Sequence, residues 1–247
     1  MAGDGAVALV TGSTSGIGAG VARRLAAAGY RVIVHSRSST EAGRALAEDI
    51  GDAHYVQADL AVDADRSRLV NDAVAVWGRL DVLINNAGIS HVIPHQELAA
   101  ATPDVWHALY EVNVIAPFRL ITAAEPFLRA AARDGRSAAV VNIGSHAGVR
   151  PKGASIPYAA SKAALTHVTK LLAVSLAPGI RVNAVAPGLV DTPLTADWLD
   201  AQELWRVRSP MRRPATPDDV AEMVLALVGS DYVTGEVLVV DGGLNLT

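Results

Sequence analysis

The chain has 247 residues, 51% of them apolar, and a formal net charge of −4. Such a chain can bury a large core, and its charge offers no electrostatic pull toward nucleic acid. Cysteine is absent, which excludes disulfides and thiolate chemistry. No stretch reaches the roughly 20 apolar residues that a membrane helix needs. The first apolar run, 6–10, enters a glycine turn with no basic stretch before it, so no secretory leader is expected. These features fit a protein of the reducing cytoplasm.

In chain order, residues 6–11 (AVALVT) are a continuous apolar run, as buried parallel strands are. A helix begins near Ser15 and stops at Gly29, a good helix-closing residue. Residues 31–35 (RVIVH) form a second strand, and a helix over 39–50 ends at Gly51. A weaker strand over 54–58 precedes a helix over 63–77 that Gly78 closes. Residues 81–85 (DVLIN) form the fourth strand. A long helix is predicted over 103–132, with Thr102 as N-cap and Pro103 in the first helical position. Pro117 should bend or break it, because proline lacks the N–H and clashes with the preceding turn.

A strand over 138–143, a helix over 157–176 and a strand over 180–185 follow. The last pair is a helix over 216–228, which opens Thr-Pro-Asp-Asp, and a strand over 237–240. Seven strands alternating with six helices imply an α/β fold with one parallel sheet covered on both faces. Neither a linker nor a low-complexity tract divides the chain, so 1–247 reads as a single doubly wound domain. The one long irregular stretch is 187–215, and such stretches in compact domains are usually functional.

The first turn reads Thr11-Gly12-Ser13-Thr14-Ser15-Gly16-Ile17-Gly18. Glycines between a strand and a helix let the backbone approach a pyrophosphate, whose charge then meets the helix N-terminus. Ser13 and Ser15 add hydroxyl donors. The spacing is G-x3-G-x-G rather than G-x-G-x-x-G, and an ordinary strand–helix junction also uses such glycines. The second strand ends His35-Ser36-Arg37-Ser38. An NAD site wants an acid here for the ribose, an NADP site an arginine. Arg37 is present and no acid is, so NADP is the expected cofactor, with NAD the alternative. A solvated loop arginine would look the same.

Asn85-Asn86-Ala87-Gly88 follows the fourth strand and Ser145 the fifth, while Asn113 lies inside the long helix. Tyr158 and Lys162 are four residues apart and share a helix face. Ser145 sits at the carboxyl end of a strand, where open α/β sheets bind ligands. Singly, each has a plainer reading: a solvent-facing Asn, a Tyr–Lys surface pair, a turn-capping Ser.

Taken in order, these residues resemble the short-chain dehydrogenase/reductase family. The likeness comprises T-G-x3-G-x-G at 11–18, Asp59, N-N-A-G at 85–88, Asn113, and Ser145 thirteen residues before Y-x3-K at 158–162. It continues through Pro187-Gly188, Thr192 and Asp241-Gly242-Gly243, and so covers essentially the whole chain. The layout is similar to that of 3-oxoacyl-carrier-protein reductases. The resemblance implies a Rossmann domain and hydride transfer between a nicotinamide and a carbonyl/alcohol pair. Tyr158 would be the proton donor, and Ser145 would hydrogen-bond the reacting oxygen. Lys162 would lower the Tyr158 pKa and bond the nicotinamide ribose, and Asn113 would hold a water linking Lys162 to solvent.

The resemblance also assigns adenine contacts to Asp59 and Leu60, and the wall beside the adenosine ribose to Asn86 and Gly88. It assigns the carboxamide segment to Pro187, Gly188, Val190 and Thr192. Ser15 stands where many NADP-using members carry a basic residue, which leaves Arg37 as the main ligand for the 2′-phosphate. Family members usually carry a mobile lid over 189–209. Here Trp198, Leu199, Leu204 and Trp205, interleaved with Asp197, Asp200 and Glu203, suit an amphipathic helix. His91, His146 and Arg150 are candidates for the substrate mouth.

No cluster has metal-ligand spacing, so no catalytic metal is expected. The expected reaction is reduction of a ketone, a 3-oxoacyl or related β-keto compound among the candidates. Oxidation of a secondary alcohol or sugar with NAD is the rival enzyme, and a catalytically idle nucleotide-binding sensor or scaffold the rival of another class. Intact Tyr158 and Lys162 argue against the last. A homotetramer is implied by the resemblance, through the helices bearing Asn113 and Tyr158, the latter with Ala159, Ala163 and Ala164 on its surface.

Overall fold

The computed structural model describes residues 5–132 and 137–247. Its sheet comprises β1 (Val7–Val10), β2 (Arg31–Ser36), β3 (Ala53–Gln57), β4 (Val82–Asn85), β5 (Ala138–Ile143), β6 (Ile180–Pro187) and β7 (Val237–Val240). All neighbours pair in parallel, in the order β3-β2-β1-β4-β5-β6-β7. The order reverses between β1 and β4, which opens a crevice at the carboxyl ends of those strands.

The helices are α1 (Gly16–Ala27), α2 (Thr40–Ile50), α3 (Asp63–Trp77), α4 (Pro103–Tyr110), α5 (Ala116–Ala131), α6 (Ile156–Leu176), α7 (Leu199–Arg208) and α8 (Pro217–Gly229). Successive strand side chains point to opposite faces, and here both faces are buried. Val7, Leu9, Leu83 and Val140 pack with Leu69, Leu120 and Leu128 of α3 and α5. Ala8, Val10, Ile84 and Val141 pack with Val21, Leu25 and Val224 of α1 and α8. That two-sided burial is why the strands read as unbroken apolar runs. Each fully buried Leu or Val contributes roughly 1.5–3 kcal/mol.

The long helix differs from expectation. Pro117 does not break it. Between α4 and α5 the backbone widens into a π-helical turn over Glu111–Ile115, where the Ala116 N–H donates to the Glu111 carbonyl. The widened turn leaves Pro117 in the first turn of α5, where a missing N–H breaks no bond. A second proline, Pro126, lies inside α5. The stretch 187–215 is also less irregular than expected, since it contains α7 and a bridge between Val190 and Ala215. The Thr216 cap holds as read: its hydroxyl accepts from the Asp219 N–H while the Asp219 carboxylate accepts from the Thr216 N–H. Among the described residues no helix is long and apolar enough to cross a membrane.

Candidate active site

The glycine turn after β1 fits a dinucleotide phosphate. A Cβ at Gly18 would fall 2.4 Å from the Gly12 carbonyl oxygen and 2.5 Å from Asn86 Nδ2, so only glycine permits this closure. Ser15 is exposed at the N-cap of α1 with its hydroxyl free of a cap bond. The first N–H groups of α1 have no intrahelical acceptor and can bind an anion. Ser13 does not serve as expected. Its side chain is wholly buried; its hydroxyl donates to the Val10 carbonyl (2.7 Å) and accepts from the His35 N–H (2.9 Å). It holds the turn rather than a ligand.

His35 was not singled out in the sequence, yet it pins the same turn. Its Nδ1 accepts from the Gly12 N–H at 3.0 Å, so the ring proton sits on Nε2, 3.1 Å from the Ala58 carbonyl. Burial pushes its pKa down to about 4, with the Ala58 hydrogen bond a smaller opposing influence. The only sequence signal is one polar ring ending an otherwise apolar strand. Thr11 is a second such residue: its hydroxyl accepts from the Asn86 and Ala87 N–H groups, both at 3.0 Å. Asn86 in turn donates through Nδ2 to the Thr11 and Gly12 carbonyls, at 2.8 and 2.9 Å. Its amide therefore joins the loops after β1 and β4.

At the end of β2 the Ser36 hydroxyl is bonded to the Tyr55 hydroxyl at 2.8 Å. The Arg37 guanidinium is exposed and has no ion-pair partner among the described residues. Asp59 accepts from the Ala61 N–H, and Leu60 turns its side chain into the core. The Leu60 carbonyl accepts from buried Arg66, which also pairs with Asp63 and with Glu111 at the start of the π turn. Arg66, another residue the sequence reading missed, so ties the loop after β3 to the segment bearing Asn113.

Asn113 is buried and both polar atoms of its amide are hydrogen-bonded. Oδ1 accepts from the Ile89 N–H at 2.9 Å, and Nδ2 donates to the Ile89 carbonyl at 3.0 Å and Ser161 Oγ at 3.1 Å. Pro117, four residues on, has no N–H to offer the Asn113 carbonyl. A Cβ at Gly88 would lie 3.1 Å from Asn113 Oδ1 and 3.5 Å from Lys162 Nζ. The loop after β4, the π turn and α6 thus meet around Lys162.

Ser155 caps α6 by accepting from the Tyr158 N–H at 3.3 Å. Tyr158 falls in the first turn, and Lys162 one turn later on the same face. Ser145 begins a short 3-10 turn over His146–Gly148, with Oγ accepting from the Ala147 N–H at 3.1 Å. A Cβ at Gly148 would fall 2.7 Å from the Lys162 main-chain carbon. That close approach seats Ser145 against α6.

Lys162 is buried; its ammonium donates to the Ile143 carbonyl at 2.9 Å and stands 6.0 Å from the Tyr158 ring centre. Burial alone pushes its pKa down to about 8. The Tyr158 phenol is raised above its ordinary value by burial, against a smaller lowering from Ser145. Lys162, expected to lower the Tyr158 value, is not among the groups that do so in the chain alone.

Ser145 and Tyr158 open onto a cleft of about 1350 Å³. Ile17, Pro187, Gly188, Val190 and Thr192 line it too. The Ser90 hydroxyl, not expected from the sequence, reaches this cleft buried and without a hydrogen-bond partner, a group that a bound ligand could satisfy. His146 and Arg150 line it, but His91 does not; His95 does. Over it lie Trp198, Leu199, Leu204 and Trp205. Trp205 is buried, edge-on to His146 with ring centres 5.5 Å apart, and so packs on its own chain. Among the described residues no group of three or more metal-ligating side chains converges.

Comparison with known proteins agrees with this geometry. A family profile described as Enoyl-(Acyl carrier protein) reductase matches residues 12–245. The chain is 52% identical to "Granaticin polyketide synthase putative ketoacyl reductase 2" of Streptomyces violaceoruber, over 97% of this chain and 96% of that one. Its structure resembles the 3-ketoacyl-(acyl-carrier-protein) reductase of Brucella melitensis complexed with NADH: TM-score 0.89, 34% identity, 98% of each chain. It also resembles the RhlG/NADP active-site complex of Pseudomonas aeruginosa: TM-score 0.91, 34% identity, 98% and 97% of the two chains. The chain belongs to the short-chain dehydrogenase/reductase family and is an NAD(P)-dependent oxidoreductase acting on the CH–OH/C=O pair.

Proposed function

We propose that this enzyme reduces the ketone of a 3-oxoacyl or related β-keto compound to a secondary alcohol with NADPH, Tyr158 donating the proton. The observation that carries the reading is a pair of hydroxyls, Ser145 and Tyr158, opening onto one cleft with the buried Lys162 ammonium behind them. NADPH, when bound, supplies the hydride. Burial keeps the Tyr158 phenol protonated at neutral pH, as a donor in the reductive direction must be. Ser145 Oγ accepts from the Ala147 N–H, and its hydroxyl hydrogen can turn between the Tyr158 phenol oxygen and the substrate oxygen. Lys162, with a value of about 8, is mostly charged at pH 7 and places that cation 6.0 Å from the Tyr158 ring centre. Asn113, whose Oδ1 accepts a single hydrogen bond and keeps a second lone pair, holds the water that links Lys162 to solvent.

Arg37, exposed and unpaired at the end of β2, supports NADPH over NADH. The names of the ketoacyl-reductase relatives support the β-keto class. Residues 189–209, with α7, act as the lid of a single domain. Exposed Ile115 and Phe118 beside the π turn, and Leu171 and Val174 on α6, suit pairing of these helices in a homotetramer. The cytoplasm is the proposed location. The test is Tyr158→Phe with NADPH and a 3-oxoacyl thioester. The variant should bind NADPH as the parent does and lose at least about a hundredfold in kcat, in line with removal of a general acid. Full turnover by the variant would sink the mechanism.

A further inference from the structure

The far end of the cleft has a charge pattern that ketone reduction does not use. Four arginines lie between 206 and 213. Three have partners: Arg206 pairs with Glu203, Arg212 donates to the Val207 carbonyl, and Arg213 forms a two-pronged pair with Asp219. Arg208 has no side-chain partner among the described residues, and it alone of the four lines the cleft. Two more cations, Arg150 and Lys152, line the same cleft.

Two packed rings locate them relative to one another. Trp205 stands edge-on to His146. Arg208 follows Trp205 by three residues on α7, hence on the same helix face. Arg150 follows His146 by four residues, and its main-chain N–H donates to the His146 carbonyl at 2.9 Å. Lys152 continues the same turn, its main-chain N–H donating to the Arg150 carbonyl at 2.8 Å. Arg208 thus follows Trp205 by one turn of α7, Arg150 and Lys152 follow His146, and all five residues line the one cleft.

Acids are present but accounted for. Asp197 and Asp200 line the cleft toward the opposite end of α7, Asp200 about 12 Å from Arg208 along the axis at a helical rise of about 1.5 Å per residue. Asp241 also acts on His146, but its carboxylate accepts from the Gly243 and Asn245 N–H groups at 3.0 and 2.7 Å. One guanidinium hydrogen of Arg150 reaches the Thr247 carbonyl at 3.4 Å, a long bond that leaves most of its fork free.

We infer that the cleft contains an anion subsite, formed by Arg208 and Arg150 with Lys152, that holds a carboxylate or phosphate carried by the ketone substrate remote from its carbonyl. The inference rests on the ketone-reduction reading above. Two guanidinium forks and an ammonium suit an oxyanion with several acceptor oxygens. The subsite sets substrate choice and orientation; it takes no part in proton transfer. Because Arg208 sits at the end of α7, an anion bound there also ties the lid segment to the turn after β5.

The test uses holoenzyme with NADPH and two matched substrate pairs. One pair is a neutral 3-oxo ester and the same ester bearing a terminal carboxylate. The other is a 3-oxoacyl-pantetheine thioester and its 4′-phosphate. The anionic member should be favoured about tenfold in kcat/KM in at least one pair, through KM, and which pair responds identifies the anion's source. Arg208→Gln and Arg150→Gln should each erase most of that ratio, and Arg208→Lys should restore part of it. Turnover of both neutral members with equal kcat/KM for their anionic partners would overturn the subsite and leave ketone reduction standing. Unaltered anion preference in both Gln variants would overturn the residue assignment. Reduction of none of the four would overturn the ketone reading and the subsite with it.

Discussion

The two halves of the site are built differently. In the glycine turn and its neighbours nearly every polar side chain is committed to holding backbone: Thr11, Ser13, His35 and Asn86 all bond main-chain groups. In the cleft half the side chains are left open, with Leu194 and Leu199 exposed and Arg208 unpaired. The first half leaves the main-chain N–H groups at the start of α1 open to an anion. The second presents side chains, which can be changed without disturbing the frame. One fold thereby keeps one cofactor chemistry while its substrate face diverges.

That contrast can be broken most severely at Gly18. Gly18→Ala forces a Cβ into the Gly12 carbonyl. It should destabilise the chain by about 3 kcal/mol, the upper end for overpacking, and abolish cofactor binding. Urea unfolding and cofactor fluorescence would show it; a variant that binds normally would mean that the turn is more compliant than described.

The next effect is acid sensitivity at His35. Its folded pKa of about 4 lies below the unfolded value of 6.5. The unfolded chain thus binds the extra proton between these values, and the stability present above pH 6.5 is lost as pH falls toward 4. At about 1.4 kcal/mol per pKa unit the loss approaches roughly 3 kcal/mol. His35→Asn should flatten the dependence of the urea midpoint over that window, and an unchanged slope would assign it to other groups.

Arg37→Asp should weaken NADPH by about tenfold or more while sparing NADH, because it sets a negative charge against the 2′-phosphate. Equal losses with both cofactors would remove Arg37 as the discriminator. The smallest effect is expected in the open half. Leu199→Ser, at a side chain 71% exposed, should change stability by less than about 0.5 kcal/mol, yet raise KM for apolar ketones. A large stability loss would show that α7 is part of the frame.

Sheet and helices were legible in the sequence because two-sided burial leaves unbroken apolar runs and because Gly29, Gly51 and Gly78 punctuate them. The π turn was not, since Pro117 signals only that a hydrogen bond is missing and not how the helix absorbs the loss. Ser13 looked like a ligand donor because serine beside glycine is common to both roles. What separated them was His35, 22 residues away. Arg150 drew notice by its place after Ser145, whereas Arg208 did not, because four nearby arginines look alike until their partners are known.

The sequence by itself determined the order of elements, the glycine turn after β1 and the sequence positions of Asn113, Ser145, Tyr158 and Lys162. These follow from periodicity, glycine placement and spacing, all of which are local. Only the tertiary structure decided which polar groups are free to act. Hydrogen-bond partners come from strands and helices distant in the chain, and a donor already paired inside the fold has nothing left to offer a ligand.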